Sequence, residues 1–433
     1  MHFKKAKICG HHIIKNSGWF EFHPHLTIFA GRCGSGKTSL LRGLQSINPH
    51  PLQEYDNPFT TYPDFFFSRG HKRKINPHKK TAALAIFTCS DDLRNKLAEI
   101  DPILIETDKI EVGRRIDWSR WTNFIEIASS TRWSEISPAF TTLAHSITDK
   151  SALTGFRTES PHISNLAATE RIRGESMHSL ANWLLAIQPH LGAEDIDLSS
   201  TTLDSVYRHQ RFQAAKKVLT AQLPSLLYLA SDLLLKEHFS VKRLLAQRQS
   251  LPSTIEESTQ YCLAHHLIDL DSTLAPERIR NLVDDVNKKL QTFSPDTTAR
   301  LSHSLQDDSL TFYQKSLTGQ ELPLNQARYP FRWLVTLCLF LQTATKDTTP
   351  ETILLLDEPE KDLGHTNLYE FNAFIRNLSQ QITIFWATGS SEIVKTAGMD
   401  MIRLLVASDN ESGTSIRPIL KRQEIDAVLA EKH

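Results

Sequence analysis

The chain has 433 residues, which is long for a single hydrophobic core and predicts two or three lobes. Its 49 basic and 49 acidic side chains cancel, so no global field draws it to nucleic acid or to an anionic surface, and any such binding must be local. The five cysteines are scattered without C-x-x-C spacing, which argues against a zinc site and predicts a reducing, cytoplasmic environment. The longest apolar run, Leu334 to Leu341, is shorter than the roughly 20 residues that span a bilayer, so no membrane segment is expected.

The N-terminal segment predicts a β-sheet that leads into a phosphate-binding loop. Residues 3–14 and 19–22 indicate a strand pair that turns at residues 16–18, and Leu26–Ala30 indicates a further strand. The next eight residues, Gly31-Arg32-Cys33-Gly34-Ser35-Gly36-Lys37-Thr38, fit G-x-x-x-x-G-K-[ST], and a helix is predicted over residues 38–46. A phosphate loop sits between a strand and a helix in this order, so the match is specific.

The loop gives a physical account of nucleotide binding. Its glycines let backbone N–H groups wrap around phosphate oxygens, and the helix that follows points its positive end at the same phosphates. Lys37 is predicted to reach the β- and γ-phosphates of ATP, and the Thr38 hydroxyl is predicted to ligate Mg²⁺. The predicted nucleotide contacts are Gly31, Gly34, Ser35, Gly36, Lys37, Thr38 and Ser39.

One segment after the loop is a candidate for nucleic-acid contact. The aromatic run Phe65-Phe66-Phe67 precedes a basic patch that includes Lys72, Arg73 and Lys74. Aromatic faces beside clustered cations suit a contact with nucleic acid or phosphate. A buried strand followed by a solvated loop suits the same residues, so both interpretations stay open.

The middle of the chain predicts more of the antiparallel sheet and then a helical lobe. Strands are predicted over residues 81–89 and 103–111, and a helix over residues 91–100. From about residue 118 to residue 290 the pattern is helical, with breaks at proline and glycine. Its longest segments, residues 203–223 and 225–248, are separated by Pro224 and are expected to form a helical hairpin or to stack within the lobe.

The C-terminal part carries the acidic half of the predicted site. An amphipathic helix is predicted over residues 277–293, a hairpin over residues 301–315 and an apolar helix over residues 331–341. The apolar run from residue 352 to residue 356 indicates a strand buried on both faces, which delivers Asp357 and Glu358 to its tip. Asp357 can hold Mg²⁺ through water, and Glu358 can act as a general base on the attacking water.

The two motifs together resemble those of ABC-type P-loop ATPases of the RecF, SMC and OLD (overcoming lysogenisation defect) group, which includes ATPases of bacterial defence systems. Residues 3–44 are similar to the group's order of strand, hairpin, strand and phosphate loop, and Asp357-Glu358-Pro359-Glu360-Lys361-Asp362-Leu363 matches its acidic motif. The resemblance implies an α/β fold, namely an ABC-ATPase head whose P-loop sheet carries antiparallel N-terminal strands, with an inserted, mostly helical lobe. The implied domains are residues 1–115 and 276–433 for the head and residues 116–275 for the lobe.

The resemblance also implies further site residues. Gln53 is the candidate for a glutamine that senses the γ-phosphate through Mg²⁺, although a plain surface glutamine fits as well. The group's signature falls at residues 322–329 in a degraded form. There Asn325 and Gln326 could donate hydrogen bonds, and Arg328 could supply positive charge, to ATP on a second subunit; a nonfunctional remnant is the alternative. Where the group has Thr-His-Ser, this chain has Thr388-Gly389-Ser390, and the missing histidine argues against fast turnover.

The function expected from this resemblance is that of a nucleotide-controlled switch. A homodimer, or a larger assembly built from dimers, would hold Mg²⁺ and ATP between subunits, hydrolyse the ATP and control an effector protein, a nuclease or toxin, in trans as OLD-like antiphage modules do. A second hypothesis is a non-hydrolysing, ATP-dependent scaffold that sequesters the effector. A third is a RecF-like DNA-repair ATPase.

Overall fold

The protein divides into two compact units. The structure, a computed structural model, describes residues 1–54, 57–59, 80–148, 166–249, 252, 255–268, 276–293, 299–346, 351–361, 363, 365–407, 413–419, 421 and 423–429. Unit 1 comprises Met1, Thr88–Glu111 and Thr122–Gln222, and unit 2 comprises His2–Phe87, Val112–Trp121 and Leu223–His433. Helices and mixed sheets together confirm the predicted α/β fold.

The regular elements are as follows. The strands are β1 (His2–His11), β2 (Ile14–Asn16), β3 (Phe20–Glu21), β4 (Leu26–Ala30), β5 (Thr81–Thr88), β6 (Lys109–Arg115), β7 (Arg120–Phe124), β8 (Ser225–Ala230), β9 (His238–Ser240), β10 (Arg300–Gln306), β11 (Ser309–Lys315), β12 (Glu321–Pro323), β13 (Thr352–Asp357), β14 (Ile384–Thr388), β15 (Ile402–Ala407) and β16 (Thr414–Pro418). The α-helices are α1 (Lys37–Gln45), α2 (Asp91–Ala98), α3 (Trp133–Thr148), α4 (Glu175–Ile187), α5 (Ala193–Ala221), α6 (Val241–Gln249), α7 (Ile255–Leu267), α8 (Pro276–Phe293), α9 (Tyr329–Lys346), α10 (His365–Leu378), α11 (Ser391–Thr396) and α12 (Gln423–Leu429).

A six-stranded sheet in unit 2, with the order β16-β15-β4-β14-β13-β8, positions the predicted site. β4 pairs in parallel with β14 and β15, and β13 pairs in parallel with β14 and β8. Every residue of β4, β13 and β14 is buried, as expected for parallel strands covered on both faces. Because parallel strands end at one edge of a sheet, the segments that follow Ala30, Ala230, Asp357 and Thr388 meet there.

Strand β8 lies where the sequence predicted a helix. The helix predicted over residues 225–248 is wrong, because Ser225–Ala230 and His238–Ser240 are strands and only Val241–Gln249 is helical. The run Ser-Leu-Leu-Tyr-Leu-Ala is apolar throughout, and periodicity cannot distinguish a buried strand from a buried helix of this length. Six residue pairs with β13 show that the segment belongs to the central sheet, so the predicted hairpin of two helices does not form.

The other sheets are antiparallel where their register is defined. One has the order β2-β1-β5-β6-β7, with β3 also paired to β1, and the boundaries between the two units fall within β5, β6 and β7. The predicted pairing of the first strand with residues 19–22 occurs as β1 with β3, but the chain first turns at His12 and Ile13 to form β2. The second has the order β10-β11-β12, with β9 also paired to β11, and it contains the hairpin predicted over residues 301–315.

Unit 1 has its own apolar core. Helices α3, α4 and α5 bury a cluster that includes Trp133, Phe140 and Trp183, and the ring centroids of Phe140 and Trp183 lie 4.5 Å apart. Arg211 Nε on α5 donates to Asp101 Oδ2 at 2.9 Å, and this ion pair ties α5 to the turn after α2. The long helix predicted over residues 203–223 is confirmed as the C-terminal part of α5.

Helices α8 and α9 cover much of the core of unit 2. The amphipathic pattern predicted for α8 is confirmed, since Ile279, Leu282, Val283, Val286 and Leu290 are all buried. Helix α9 is longer than predicted and begins at Tyr329. No helix in the described ranges combines the length and apolar character that crossing a bilayer requires.

Candidate functional site

The phosphate loop lies between β4 and α1, as predicted. Gly34 and Gly36 have φ angles of 75° and 94°, a conformation that residues with a Cβ rarely adopt. Gly31 is needed for space, because a Cβ there would lie 2.3 Å from Ser35 Oγ and 3.0 Å from Leu405 Cβ. The Ser35 hydroxyl is itself buried without a hydrogen-bond partner in the described part of the chain. The loop is therefore tightly packed, and the Ser35 hydroxyl makes no hydrogen bond with the described residues.

Lys37 is folded back into the loop. Its Nζ donates hydrogen bonds to Gly31 O at 2.7 Å and to Arg32 O at 2.8 Å. The same Nζ lies 3.0 Å from Glu358 Oε1, and the Lys37 side chain is only 4% exposed. Lys37 is therefore not an exposed loop lysine, since its ammonium group is surrounded by two carbonyls and one carboxylate. These three oxygens hold the place that a phosphate would take beside Nζ.

Asp357 is the buried carboxylate at the tip of β13. Its Oδ2 accepts a hydrogen bond from the Tyr228 hydroxyl at 2.8 Å, and its Oδ1 is buried without a hydrogen-bond partner among the described residues. Burial raises the pKa of the Asp357 carboxyl, an effect that the hydroxyls of Thr38 and Tyr228 oppose. An unsatisfied buried carboxylate oxygen costs free energy unless a cation or a water occupies it.

Thr38 and Asp357 together fit a magnesium site. No group of three or more His, Cys, Asp or Glu side chains in the described ranges could hold a metal ion on its own. Mg²⁺ does not need such a cage, because it usually keeps several waters and is bound by one or two protein oxygens together with phosphates. Asp357 Oδ1, which has no hydrogen-bond partner among the described residues, and the Thr38 hydroxyl near the same carboxyl group form the donor set that this mode of binding uses.

Glu358 has a strained backbone. Its φ of 48° is in the left-handed region, which a glutamate rarely adopts and which costs of order 1–3 kcal/mol. Two hydrogen bonds hold the conformation, from Glu358 N to Ala387 O at 3.0 Å and from Lys361 N to Glu358 O at 3.1 Å. The side chain is 33% exposed, so water can reach its carboxylate. The turn thus aims a carboxylate at the phosphate loop instead of continuing the strand.

Glu360, two residues further on, is a buried carboxylate with no role predicted from the sequence. Its Oε2 accepts from Trp386 Nε1 at 2.9 Å, and its Oε1 accepts from the Thr388 hydroxyl. Burial raises the pKa of Glu360 to about 7, with the negative charge of Glu358 adding to the effect and the two hydrogen bonds opposing it. The Thr388 hydroxyl also accepts from Ser390 N at 2.9 Å, so this carboxylate joins the acidic turn to the tip of β14.

Gly389 stands where the resemblance predicts a histidine. A Cβ at this position would lie 3.7 Å from Gly31 O, 3.8 Å from Lys37 Nζ and 3.9 Å from Glu358 Oε1. These are ordinary van der Waals distances, so a methyl group here would contact the Lys37–Glu358 pair without a clash. The glycine instead leaves a depression of about 430 Å³, which borders Glu358 and Glu392.

Alanine substitution at these two glycines is expected to have opposite outcomes. Gly31→Ala should weaken ATP binding and lower the unfolding temperature, because its Cβ would meet Ser35 Oγ inside the loop. Gly389→Ala should leave both quantities close to wild type, since the space beside Lys37 accepts a methyl group. Nucleotide titration and thermal unfolding of the two variants provide the measurement, and equal effects in both would contradict the packing argument.

Gln53 lies in a short turn, Pro51–Gln53, and its side chain is fully buried. Its Oε1 accepts from Tyr228 N at 2.9 Å and from Gln45 Nε2 at 3.0 Å, and its Nε2 donates to Tyr228 O at 2.7 Å. Both acceptor positions of Oε1 are therefore used by protein donors. A surface glutamine is excluded, and binding of Mg²⁺ by Gln53 would require these hydrogen bonds to break.

The other predicted residues lie apart from this cluster. Asn325 and Arg328 are exposed, and in the described part of the chain neither side chain makes a hydrogen bond or an ion pair. Both precede α9, whose first residue, Tyr329, places its hydroxyl 3.1 Å from both Ser231 O and Pro359 O. The basic patch at Lys72, Arg73 and Lys74 lies outside the described residues.

Sequence reasoning missed Tyr228 and gave Glu360 no role. Tyr228 is the one polar side chain in the middle of an apolar strand. A buried tyrosine hydroxyl needs a hydrogen-bond partner. This requirement could have indicated Tyr228 once the segment was known to be a strand. Glu360 was visible as the fourth residue of the acidic motif. Its burial could not be inferred, because Trp386 and Thr388 come from a different strand.

Comparison with known proteins gives a likeness of fold. No protein-family model matches the sequence, and no curated protein matches it. The chain is similar to the Smc head domain of Pyrococcus furiosus with an extended coiled coil bound to the C-terminal domain of ScpA, at 11% identity, TM-score 0.44 and 98% coverage of each chain. It is also similar to the SMC head domain from Thermotoga maritima (10%, TM-score 0.41, 97% and 100%) and to the Smc head with coiled coil and joint from Pyrococcus yayanosii (11%, TM-score 0.45, 99% and 99%). These likenesses concern the fold alone.

Proposed function

We propose that the protein is a magnesium-dependent ATPase whose two-chain assembly acts as a switch. The observation that carries the proposal is the meeting of Lys37, Thr38, Asp357 and Glu358 at one edge of the central sheet, where Asp357 Oδ1 has no partner. A phosphate loop beside a strand that ends in two carboxylates supplies the three functions that phosphoryl transfer needs: a cradle, a cation site and a base. Bound Mg²⁺ would neutralise charge on the phosphates.

The proposed roles follow from the contacts of each residue. Lys37 Nζ exchanges Gly31 O, Arg32 O and Glu358 for phosphate oxygens when ATP binds, since these carbonyls and this carboxylate surround it. Glu358 is released by the same exchange and accepts the proton of the attacking water. Thr38 and Asp357 hold Mg²⁺, with Asp357 acting directly or through a water. The loop residues Gly31, Gly34, Ser35, Gly36 and Ser39 hold the phosphates.

A second chain completes the proposed site. Asn325 and Arg328 are exposed and unengaged among the described residues, as expected for side chains that contact ATP on another subunit. ATP would then bridge a homodimer, or dimers within a larger assembly, and its hydrolysis would open them. By the resemblance to the OLD group we propose that this cycle controls an effector, a nuclease or toxin, in bacterial antiphage defence in the cytoplasm.

A non-hydrolysing scaffold is the second candidate. Gly389 in place of a histidine and the ion pair between Lys37 and Glu358 favour it, because both reduce the groups free to activate water. Steady-state phosphate release, measured together with oligomer mass with and without ATP, separates the two. Turnover supports the switch, whereas ATP-dependent assembly without turnover supports the scaffold. Stimulation of turnover by DNA would favour a RecF-like role and draw attention to Lys72, Arg73 and Lys74.

Arg328 provides a direct test of the two-chain site. Arg328→Ala should raise the protein concentration for half-maximal ATP-dependent dimerisation at least about tenfold, which corresponds to ~1.4 kcal/mol. Binding of ATP to the single chain should be unchanged, because the exposed side chain of Arg328 makes no hydrogen bond or ion pair with its own subunit within the described residues. Arg243→Ala, an exposed arginine on α6, is the matched control. An unchanged dimerisation midpoint in Arg328→Ala would remove Arg328 from the interface.

A further inference from the structure

Tyr228 connects the edge strand of the central sheet to the acidic tip of β13. It pairs with Leu355 across the parallel strands and is 4% exposed. Its hydroxyl reaches past the strand and donates to Asp357 Oδ2 at 2.8 Å. The other oxygen of the same carboxylate, Oδ1, has no partner among the described residues. The two oxygens of Asp357 thus have different environments, since Oδ2 accepts a hydrogen bond and Oδ1 accepts none from the described residues.

We propose that Tyr228 is the positioning residue of the magnesium site: its hydroxyl fixes Asp357 Oδ2 so that Oδ1 is presented to the cation or to its bound water. The inference rests on the proposed function, since it concerns the same site. It assigns Tyr228 no contact with nucleotide or metal. Its effect runs through the orientation of one carboxylate, as with other groups that hydrogen-bond a metal ligand from behind.

The tyrosine can act only as a donor in this environment. A phenol has an ordinary pKa of about 10 and so keeps its proton at neutral pH, and an ionised carboxylate has no proton to donate. The Tyr228 hydroxyl therefore keeps its proton, and the carboxylate oxygen that it faces can only accept. This fixes the direction of the hydrogen bond and keeps Oδ2 from turning towards the cation.

Tyr228 is itself held by the helix that follows the phosphate loop. The Gln53 amide bonds both the N–H and the carbonyl of Tyr228, and Gln45 on α1 donates to Gln53 Oε1. The Arg42 guanidinium lies 5.0 Å from the centroid of the tyrosine ring. A continuous polar path therefore runs from α1 through Gln53 and Tyr228 to Asp357. Through this path Gln53 acts on the proposed magnesium site without being a ligand of Mg²⁺.

The test is the magnesium dependence of nucleotide binding, followed with a fluorescent ATP analogue. Tyr228→Phe keeps the ring and removes one oxygen. It should raise the Mg²⁺ concentration for half-maximal binding roughly 10–100-fold, which is the usual effect of losing an outer partner of a metal ligand. Nucleotide affinity in EDTA should stay close to wild type, whereas the unfolding temperature without ligand should fall, because buried Asp357 Oδ2 loses its donor. Tyr313→Phe, whose hydroxyl lies 3.3 Å from Ser304 Oγ on another sheet, is the control.

Gln53→Ala provides an independent route to the same conclusion. It should shift the Mg²⁺ midpoint in the wild-type background and have little further effect in the Tyr228→Phe background, because its influence passes through Tyr228. If Tyr228→Phe does not fold, the shift caused by Gln53→Ala alone decides the question. An unchanged midpoint in folded Tyr228→Phe overturns the inference and leaves the proposed function intact. Absence of Mg²⁺-dependent nucleotide binding in the wild type overturns both.

Discussion

Glu358→Gln is expected to lower steady-state phosphate release by about 10²–10⁴-fold, the usual contribution of a general base. Glutamine keeps the shape of the side chain but cannot accept the proton of the attacking water. The strained φ of 48° is a property of the turn, which two backbone hydrogen bonds hold, so the substitution should leave the position of residue 358 unchanged.

The same substitution should tighten ATP binding. Glu358 Oε1 lies 3.0 Å from Lys37 Nζ, and this ion pair must break before Nζ can reach a phosphate. Removing the carboxylate charge removes that competition, so affinity for Mg–ATP should rise while turnover falls. ATP then stays between the subunits, and the closed assembly should accumulate.

Glu392→Gln is the matched control, because Glu392 borders the same depression but belongs to α11. It should leave turnover and affinity at wild-type values. Phosphate release, nucleotide titration and oligomer mass are measured on both variants. If Glu358→Gln hydrolyses ATP as fast as the wild type, Glu358 is not the base; if its affinity is unchanged, the ion pair with Lys37 does not oppose binding.

Lys37→Ala is expected to weaken ATP binding at least about 100-fold, which corresponds to ~2.7 kcal/mol. The loss combines the contacts of Nζ with phosphate and the charge that remains behind, because Glu358 then faces incoming phosphates without its partner. ATP-dependent assembly should disappear with binding. The effect on closure is therefore opposite to that of Glu358→Gln.

The burial of Lys37 makes a folding control necessary. Truncation removes its hydrogen bonds to Gly31 O and Arg32 O and leaves these carbonyls to water or to a rearranged loop. Lys37→Met keeps most of the stem and should lose binding to the same extent with less loss of stability. Lys361→Ala, an exposed lysine after the acidic turn, should bind as the wild type does. Wild-type affinity in a folded Lys37→Met would contradict the assignment of the phosphate loop.

Local sequence determined the elements that carry the site. The phosphate loop follows from glycine spacing between a short β-rich run and a helix, since glycine adopts the positive φ values found at Gly34 and Gly36 far more readily than residues with a Cβ. Strand β13 follows from an apolar run that ends in carboxylates, and α8 from a 3.6-residue period of buried positions. Each of these signals lies within about 20 consecutive residues, so it can be recognised without knowledge of the fold.

Tertiary structure decided which residues act together. Ser225–Ala230 is a strand because β13 pairs with it. An apolar sequence of this length is equally compatible with a buried helix. Tyr228 bonds Asp357, 129 residues away in the sequence, and Gln53, 175 residues away. At such separations the spacing of residues along the chain does not predict which of them are in contact. The burial of Lys37 beside Glu358 likewise depends on β4 and β13 ending at the same edge of one sheet. The sequence by itself therefore determined the chemical groups of the site, and strand order determined their partners, because hydrogen bonds and ion pairs depend on distance in space.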